Sequence, residues 1–152
     1  MAVRIARKED FKGVHDVFLE VHKFHMDHTD NIFKDIDPIL EDEFIEMINN
    51  PEGIFLVSDN DGIDGFLNAN IVEKNSKLTG YKKYLMIEQL GVTKKSQKKG
   101  VGRSLMEFAE EKAKEKGCTM LILDVWGFNE NAIGFYEHIG FAERTRKLQK
   151  FI

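Results

Sequence analysis

The sequence predicts one α/β (α+β) domain over residues 1–152, in which a mixed, mostly antiparallel twisted sheet carries helices on both faces. Its 152 residues, 42% hydrophobic and 32% charged, fit the size and composition of one globular domain. Strand-like and helix-like segments are interspersed, and hairpin signals fill the middle of the chain. One long amphipathic segment separates two strands, which indicates a single parallel step in the sheet.

The first part of the chain is predicted to form a strand and two helices. Alternation over residues 2–6 predicts a short strand. Asp10 is a candidate N-cap for a helix whose apolar residues recur at helical spacing, and Asp37-Pro38 predicts the start of a second helix, because proline is favoured at the first helical position. Asn49-Asn50-Pro51 predicts the end of that helix.

The rest of the chain is predicted to add three strands, a helix, a strand, a short helix and a last strand. The turn sequence Asp59-Asn60-Asp61-Gly62 indicates a hairpin, and Gly117 and Gly140 are candidate caps at the ends of the two helices. The full order is β-α-α-β-β-β-α-β-α-β. The predicted bounds are, in order, 54–58, 65–73, 84–92, 100–116, 120–125, 131–139 and 141–151.

Charge is divided unequally along the chain, although its net value is only −4. Residues 1–73 hold 6 Lys/Arg and 17 Asp/Glu, whereas residues 74–152 hold 16 and 9. This asymmetry indicates either an unevenly solvated surface or two partners of opposite charge. The single cysteine, Cys118, excludes disulfides within the chain. Without a membrane-length apolar run or a signal-peptide core, the sequence predicts a cytoplasmic protein and no membrane partner.

The segment from Leu90 to Arg103 carries the clearest chemical signal. A strand ends, a basic loop follows, and Gly100-Val101-Gly102 opens a helix, where free backbone N–H groups and the helix dipole bind anions. The chemistry predicted is binding of a phosphate or pyrophosphate. A Walker A motif is absent. The dinucleotide motif would use Asp124, about twenty residues on, but has Leu105 in place of its third glycine.

Two segments resemble the GCN5-related N-acetyltransferase (GNAT) superfamily. Residues 97–102, Gln-Lys-Lys-Gly-Val-Gly, resemble its Q/R-x-x-G-x-G/A motif. Residues 131–141, with Asn131, Phe135-Tyr136-Glu137 and Gly140-Phe141, resemble a downstream family segment that contains an asparagine, [F/L]-Y-E and, two residues later, G-F. The element order agrees over the whole chain. The resemblance implies an enzyme that transfers the acetyl group of acetyl-CoA directly to a primary amine of a small molecule or peptide, in a ternary complex.

The resemblance also implies a cofactor site. Backbone groups of Leu90 and Val92 would bond the pantetheine arm, and one of their N–H groups would polarise the thioester carbonyl. The N–H groups of residues 98–103 would hold the pyrophosphate, while the basic side chains there either meet the 3′-phosphate or are solvated. Asn131 would cap a helix, bond the cofactor arm, or both. The cofactor-binding residues expected are Leu90, Gly91, Val92, Gln97, Lys98, Lys99, Gly100, Val101, Gly102, Arg103, Asn131 and Tyr136.

For catalysis, the resemblance implies that Tyr136 is the general acid for the departing thiolate; otherwise it is a core tyrosine. Glu88 and Asp124 are the candidate general bases, and the sequence leaves the choice between them open. Cys118 is expected to be buried and not to be a nucleophile. His22, His25 and His28 are spaced by three, but such spacing drifts around a helix, so no metal is predicted.

The acceptor side is predicted from charge. Residues 27–46 hold eight acids and one lysine, and if they line the acceptor groove, the substrate is a cationic amine. A non-catalytic acyl-CoA-binding sensor and a protein that binds another phosphate ligand are the alternatives. No nucleic-acid motif occurs, and the net charge is acidic, so nucleic acid is not an expected partner. Many GNAT proteins dimerise through late strands, which leaves a homodimer open.

Overall fold

The computed structural model describes residues 2–30 and 32–152. Its elements are the strands β1 (Val3–Ile5), β2 (Gly53–Asp59), β3 (Ile63–Ser76), β4 (Gly80–Val92) and β5 (Met120–Leu123), and the helices α1 (Phe11–His28), α2 (Glu41–Asn49), α3 (Val101–Glu115) and α4 (Glu130–His138). The strands form one sheet in the order β1-β2-β3-β4-β5. Neighbours are antiparallel except β4 and β5, which are parallel as predicted.

The helices cover both faces of the sheet, and each face has its own apolar core. On one face, α1 and α2 pack on the sheet; the ring of Phe18 stacks on that of Phe66 with centroids 4.4 Å apart. On the other face, Leu105 and other residues of α3 pack on Leu67 and its neighbours, and α4 adds partly buried apolar residues. The predicted fold class is confirmed.

The first helix starts directly after Asp10, as predicted, but the second starts later than predicted. α2 begins at Glu41, because the Asp37 carboxylate accepts the N–H of Ile39 at 3.2 Å and faces His15 Nε2 at 2.8 Å, which makes a turn instead of a first helical turn. Asp10 precedes α1 but does not cap it. Its carboxylate accepts hydrogen bonds from the Arg4 guanidinium and the Arg7 N–H, which together lower its pKa.

The predicted last strand over residues 141–151 is not formed. The N–H of Phe141 still donates to the carbonyl of Tyr136 at 2.9 Å, but residues 142–152 are exposed and have no regular structure. A strand requires a neighbouring backbone to pair with, and residues 142–152 make no backbone hydrogen bond within the described chain. β5 is also shorter than predicted and ends at Leu123.

Candidate active site

The strands β4 and β5 separate part-way along the sheet. Their parallel ladder covers four residue pairs and ends at Ile87 and Leu123. β4 continues to Val92, held only by β3. The backbone of residues 88–92 therefore has one side that faces a gap where β5 no longer runs.

The three residues of β4 that were predicted to bind the cofactor lie together at this gap. Leu90 and Val92 are half-buried, and Gly91 between them is buried. A Cβ at position 91 would lie 2.6 Å from the Phe66 ring and 3.0 Å from Val21 of α1, so only glycine fits there. The end of β4 (residues 88–92), which forms one lip of the gap, is thereby packed directly against the core on the α1 side of the sheet.

A β-bulge in β4 leaves Glu88 without a cross-strand partner. Ile87 pairs with Ala69, and Gln89 pairs with Asn68, so Glu88 is the extra residue. Bulges disrupt the ladder locally and redirect a side chain. Glu88 is exposed at the gap and turns into a cleft on the α2 side of the sheet.

That cleft is lined by carboxylates and amides. It has a volume of about 810 Å³ and lies between α2, β3 and β4. Glu43 and Glu46 of α2 contribute to one wall and Glu88 to another; within the part of the chain that the structure describes, no lysine or arginine lines it. The lining residues are Glu43, Glu46, Met47, Asn49, Asn50, Asn68, Asn70, Glu88 and Gln89.

The loop between β4 and α3 has the backbone geometry of an anion site. Lys98 has φ 63° and Gly100 has φ 86°, so two left-handed residues flank Lys99. α3 begins directly afterwards at Val101. The N–H groups of residues 101–103 have no acceptor within the helix. Left-handed turns and helix N-termini both gather such N–H groups into a concave site for anions.

Two side chains fix this loop to its neighbours. Gln97 Nε2 donates to the carbonyl of Val92 at 3.4 Å, and the N–H of Lys94 donates to Glu20 of α1 at 3.1 Å. The hydroxyl of Thr93, buried where the loop leaves β4, has no hydrogen-bond partner in the described chain. The loop is thus held in place from both β4 and α1.

The basic side chains of the loop point into solvent. Arg103 makes an exposed i,i+4 ion pair with Glu107 at 3.3 Å, and such pairs contribute little to stability. These charges can contribute to binding only if part of the ligand lies on the solvent side of the loop. The exposed basic residues are Lys94, Lys95, Lys98, Lys99 and Arg103.

Tyr136 lies on the partly buried face of α4. Its ring packs on Phe135 and Phe141, with centroids 5.3 Å and 5.7 Å away. Burial raises the pKa of Tyr136 to about 12, so the phenol stays protonated throughout the physiological range. Phe135 also packs against Gly102, which places α4 beside the N-terminus of α3.

Asp124 and Glu88 occupy matching positions on the two lips of the gap. Each directly follows the last ladder pair, Ile87 and Leu123, and both carboxylates are exposed. The structure therefore keeps both candidate bases at the gap.

The prediction that Asn131 caps the last helix is wrong. The Oδ1 of Asn129 accepts the N–H of Ala132 at 3.2 Å and caps α4, whereas Asn131 lies exposed in the first turn of the helix. The alternative role of Asn131, a bond to a cofactor arm, stays a prediction.

An aromatic cluster, which the sequence reasoning missed, joins α1 to the loop after β5. The ring of His28 stacks on Phe128 at 5.2 Å, and Phe33 meets Trp126 at 5.5 Å. Its members come from two stretches far apart in sequence, residues 24–33 and 126–128, so no periodicity could have indicated it. The cluster comprises Phe24, His25, His28, Phe33, Trp126 and Phe128.

The histidines take part in this packing. Burial, together with the neighbouring His22 and His28, lowers the pKa of His25. In residues 2–30 and 32–152, no group of three or more His, Cys, Asp or Glu side chains could hold a metal ion. Cys118 is buried as predicted, and burial raises the pKa of its thiol.

Comparison with known proteins decides the family. The model of the acetyltransferase (GNAT) family matches residues 5–141, which is most of the chain. The chain belongs to the GNAT acetyltransferase family. The resemblance found in the sequence is confirmed.

Individual GNAT relatives agree. An uncharacterised N-acetyltransferase of Lactobacillus delbrueckii subsp. lactis is 45% identical over 58 residues, 38% of this chain and 34% of the relative. N-alpha-acetyltransferase 30 of Schizosaccharomyces pombe is 30% identical over 105 residues, 66% and 64% of the two chains. This chain therefore covers less than two thirds of either curated relative.

A solved structure shows the same fold over the full length. The tetramutant of the BH1408 protein from Bacillus halodurans is 23% identical, covers 100% of both chains and superimposes with a TM-score of 0.95. Among the described residues of this GNAT chain, every helix is too short or too polar to span a bilayer.

The two motif segments of this GNAT chain meet in space. A Cβ at Gly102, in the glycine motif, would lie 3.3 Å from the ring of Phe135, in the downstream segment. Residues more than thirty positions apart in sequence are therefore packed against each other where the loop before α3 meets α4.

The cap of α4 is testable by a matched pair of substitutions. Asn129→Ala should lower the free energy of unfolding by about 1 kcal/mol, because the N–H of Ala132 loses its acceptor. Asn131→Ala should not destabilise the protein, since Asn131 is exposed and alanine is the better helix former. Urea denaturation measures both. An equal loss in the two variants would contradict the assignment.

Proposed function

We propose that this GNAT protein is an N-acetyltransferase that transfers the acetyl group of acetyl-CoA directly to a primary amine of a small molecule or peptide, in a ternary complex in the cytoplasm. The observation that carries the proposal is that the gap between β4 and β5 opens between an anion-binding loop and a cleft lined by carboxylates. The names of both curated relatives, each an N-acetyltransferase, support an amine acceptor.

The residues at the gap fit coenzyme A. The left-handed backbone at Lys98 and Gly100 and the free N–H groups of residues 101–103 suit a pyrophosphate. The unpaired backbone groups of residues 88–92 suit the extended, amide-containing pantetheine arm. They would form hydrogen bonds to its amides as they would to a neighbouring strand. Thr93, which lies between the end of β4 and the loop, adds a buried hydroxyl that has no hydrogen-bond partner among the described residues. When bound, acetyl-CoA supplies an activated acetyl thioester.

Backbone groups of the chain would do most of the binding. Leu90, Gly91 and Val92 would hold the pantetheine arm, and the N–H of Leu90 or Val92 would polarise the thioester carbonyl in the manner of an oxyanion hole. Residues 98–103 would hold the pyrophosphate, with Gln97 fixing the loop to β4. Asn131, exposed on α4, would bond the arm.

Tyr136 would act at the leaving sulfur. Its phenol is protonated because its pKa is raised to about 12, so it is always available as a donor. A thiol has a pKa of about 8.5, so complete proton transfer from so weak an acid to a thiolate is unfavourable. We therefore assign Tyr136 the general-acid position, with the hydrogen bond to the developing thiolate as its main contribution.

The base would be Glu88 or Asp124. An ammonium group must lose a proton before its nitrogen can attack. Both carboxylates flank the gap, but only Glu88 also lines the carboxylate cleft, through the β4 bulge. This position favours Glu88 as the group that accepts the proton, directly or through water.

The acceptor would be cationic. Glu46 and Glu88 face the cleft, no lysine or arginine among the described residues lines it, and amide side chains such as Asn68 and Gln89 add further acceptors. The Glu43 carboxylate is partly committed, because it accepts the N–H of Leu40 at 3.0 Å. A polyamine, an aminoglycoside-like amine, a lysine or a basic peptide would match this lining.

Cofactor use is tested by acetyl-CoA binding and by release of free thiol with a panel of amines. We expect both. Gly100→Ala should weaken binding about 5- to 30-fold, because the ligand-free loop relaxes from the left-handed conformation, and a return to it on binding costs alanine roughly 1–2 kcal/mol. Gly134→Ala, the matched control in open space on α4, should leave binding unchanged. Binding without thiol release for any amine would favour a non-catalytic acyl-CoA sensor, and absence of binding would contradict the proposal.

Tyr136→Phe should lower kcat about 100-fold and leave the Kd for acetyl-CoA nearly unchanged. The substitution removes the hydroxyl and keeps the ring contacts with Phe135 and Phe141. Single-turnover kinetics and calorimetric titration separate the two quantities. An unchanged kcat would show that the tyrosine only packs in the core.

Glu88→Gln and Asp124→Asn distinguish the bases through the pH dependence of kcat/KM. Without a base, only amine that is already neutral reacts, so the rate should reach its plateau at a higher pH, nearer the pKa of the amine itself. We expect this shift for Glu88→Gln alone. The same shift in Asp124→Asn alone would transfer the role to Asp124, and a shift in neither would remove both assignments.

Glu46→Gln should raise the KM for a cationic amine about 3- to 10-fold, because it removes one of the charges that line the cleft. The KM for acetyl-CoA should not change. Glu111→Gln, which removes an exposed acid on α3, is the matched control and should affect neither constant. Equal effects of the two substitutions would contradict the cationic acceptor.

A further inference from the structure

The hairpin formed by β3 and β4 extends beyond the rest of the sheet. β2 pairs with β3 only as far as Asn70, and β5 pairs with β4 only from Tyr84 onward. β3 and β4 themselves stay paired as far as Ser76 and Gly80. Residues 72–82 therefore form a two-stranded arm, the β3–β4 arm, beside which the described chain places no other strand.

Two lysines lie directly opposite each other on this arm. Lys74 of β3 pairs with Lys82 of β4 in the ladder, and both side chains are exposed. Glu73 instead forms an ion pair with Lys83 at 3.4 Å, on the opposite face of the hairpin. In the described part of the chain, neither Lys74 nor Lys82 forms an ion pair. Like charges directly opposite each other destabilise a hairpin, so an anionic group bound between them would stabilise the arm.

The lysine pair lies on the same face of the sheet as the carboxylate cleft. Side chains alternate between the faces along a strand, so Asn70, which lines the cleft, shares its face with Val72 and Lys74. Ile71, which lies between them in sequence, packs in the core on the α3 side, as this alternation requires. The cleft and the two lysines therefore belong to one continuous surface.

An uncovered, largely apolar stretch joins these two charged regions. Val72 pairs with Tyr84 across the hairpin, and Met86 is the next residue of β4 on that face. The three side chains therefore lie between the lysine pair and Glu88. All three are only partly buried, and none belongs to either apolar core. A ligand that reached from the cleft to the lysines would cover them.

The length of this surface sets the size of the ligand. Five residue steps separate Lys82 from Ile87, and Glu88 follows at the bulge. At about 3.3–3.4 Å per residue, the lysine pair is about 17–20 Å from the carboxylate of the cleft. An extended peptide covers that distance in five or six residues.

We propose that the acceptor is a peptide whose N-terminal amine enters the carboxylate cleft and whose acidic side chain, at about the sixth or seventh position, binds Lys74 and Lys82. This inference rests on the proposed N-acetyltransferase function and selects one class among its acceptors. A peptide that is basic at those positions is disfavoured, because the lysine pair repels it.

The chemistry of an N-terminal amine suits this site. A peptide α-amine has a pKa of about 7.7–8.0, whereas a lysine side chain has a pKa of about 10.4. More of the α-amine is therefore neutral near pH 7, which suits candidate bases that are exposed carboxylates. The neutral amine forms an amide bond to the acetyl carbon, the thioester C–S bond breaks, and the proton lost by the nitrogen balances the one gained by the leaving thiol.

Peptides that differ only in the position of one acid test this proposal on the unmodified protein. The set has about ten residues, a free N-terminus, an amidated C-terminus and one glutamate at position 3, 6 or 7, or none. With thiol release as the readout, glutamate at position 6 or 7 should lower the KM about 3- to 10-fold relative to the other two peptides. The kcat should not change, because the acid lies far from the reacting atoms. Salt at about 0.5 M should remove most of the difference.

A charge reversal identifies the lysines. Lys74→Glu combined with Lys82→Glu should reverse the preference, so that a peptide with lysine at position 6 has the lower KM. Lys8→Glu combined with Lys12→Glu is the matched control, because it makes the same change in net charge at exposed residues around the start of α1. This control should keep the preference of the unmodified protein. Circular dichroism shows whether both variants are folded, and the peptide series on the unmodified protein does not depend on them.

The outcomes separate this inference from the proposed function. Equal KM values for all peptides, or acetylation of small amines but of no peptide, would overturn the inference and leave the proposed function in place. A glutamate preference that survives the charge reversal would also overturn it, because the acid would then bind elsewhere. Thiol release with no amine at all would instead overturn the proposed function, and the inference with it.

Discussion

The difference in length between β4 and β5 is the constraint on which the rest of the site depends. β3 holds β4 along its whole length, whereas β5 ends at Leu123. Peptide groups need partners, so the side of residues 88–92 that faces the gap is where we propose that the extended arm of the cofactor binds. The loop proposed to bind the pyrophosphate begins where β4 ends, and the carboxylate cleft opens beside the bulge at Glu88. The strand backbone, the loop and the cleft of the candidate site are all positioned by the separation of β4 and β5.

Close packing keeps the lip of the gap in position. Gly91 leaves no space between β4 and the ring of Phe66, and that ring in turn stacks on Phe18 of α1. The same helix accepts the N–H of Lys94 through Glu20, so α1 holds both the strand and the loop that follows it. A protein interior this dense does not deform gradually. The geometry at the gap is therefore a property of the whole α1 side of the core.

The features that the sequence predicted correctly are those that depend on local residue patterns. Hydrophobic periodicity located every helix and the first five strands, and the two glycines before α3 indicated the anion loop, whose left-handed Gly100 the structure then showed. Features that depend on contacts between distant residues were missed. The start of α2 moved because Asp37 bonds Ile39 and His15, and Asn129 replaced Asn131 as the cap.

Two further differences show the same limit. The bulge that isolates Glu88 depends on the register between β3 and β4, which single-strand patterning cannot reveal. The segment predicted to form a strand at the C-terminus has the residue pattern of a strand but no backbone partner among the described residues. A pattern shows that a segment can pair and does not show whether a neighbouring strand is present. The aromatic cluster likewise combines two stretches that are distant in sequence, residues 24–33 and 126–128.

Backbone amide shifts in an NMR titration with coenzyme A would test whether the cofactor binds at the separation of β4 and β5. We expect the largest shifts on residues 90–92, at the end of β4, and on residues 98–103, in the loop before α3. Shifts concentrated elsewhere, such as on the outer face of α3, or no shifts at saturating ligand, would contradict a site built on the separation of β4 and β5.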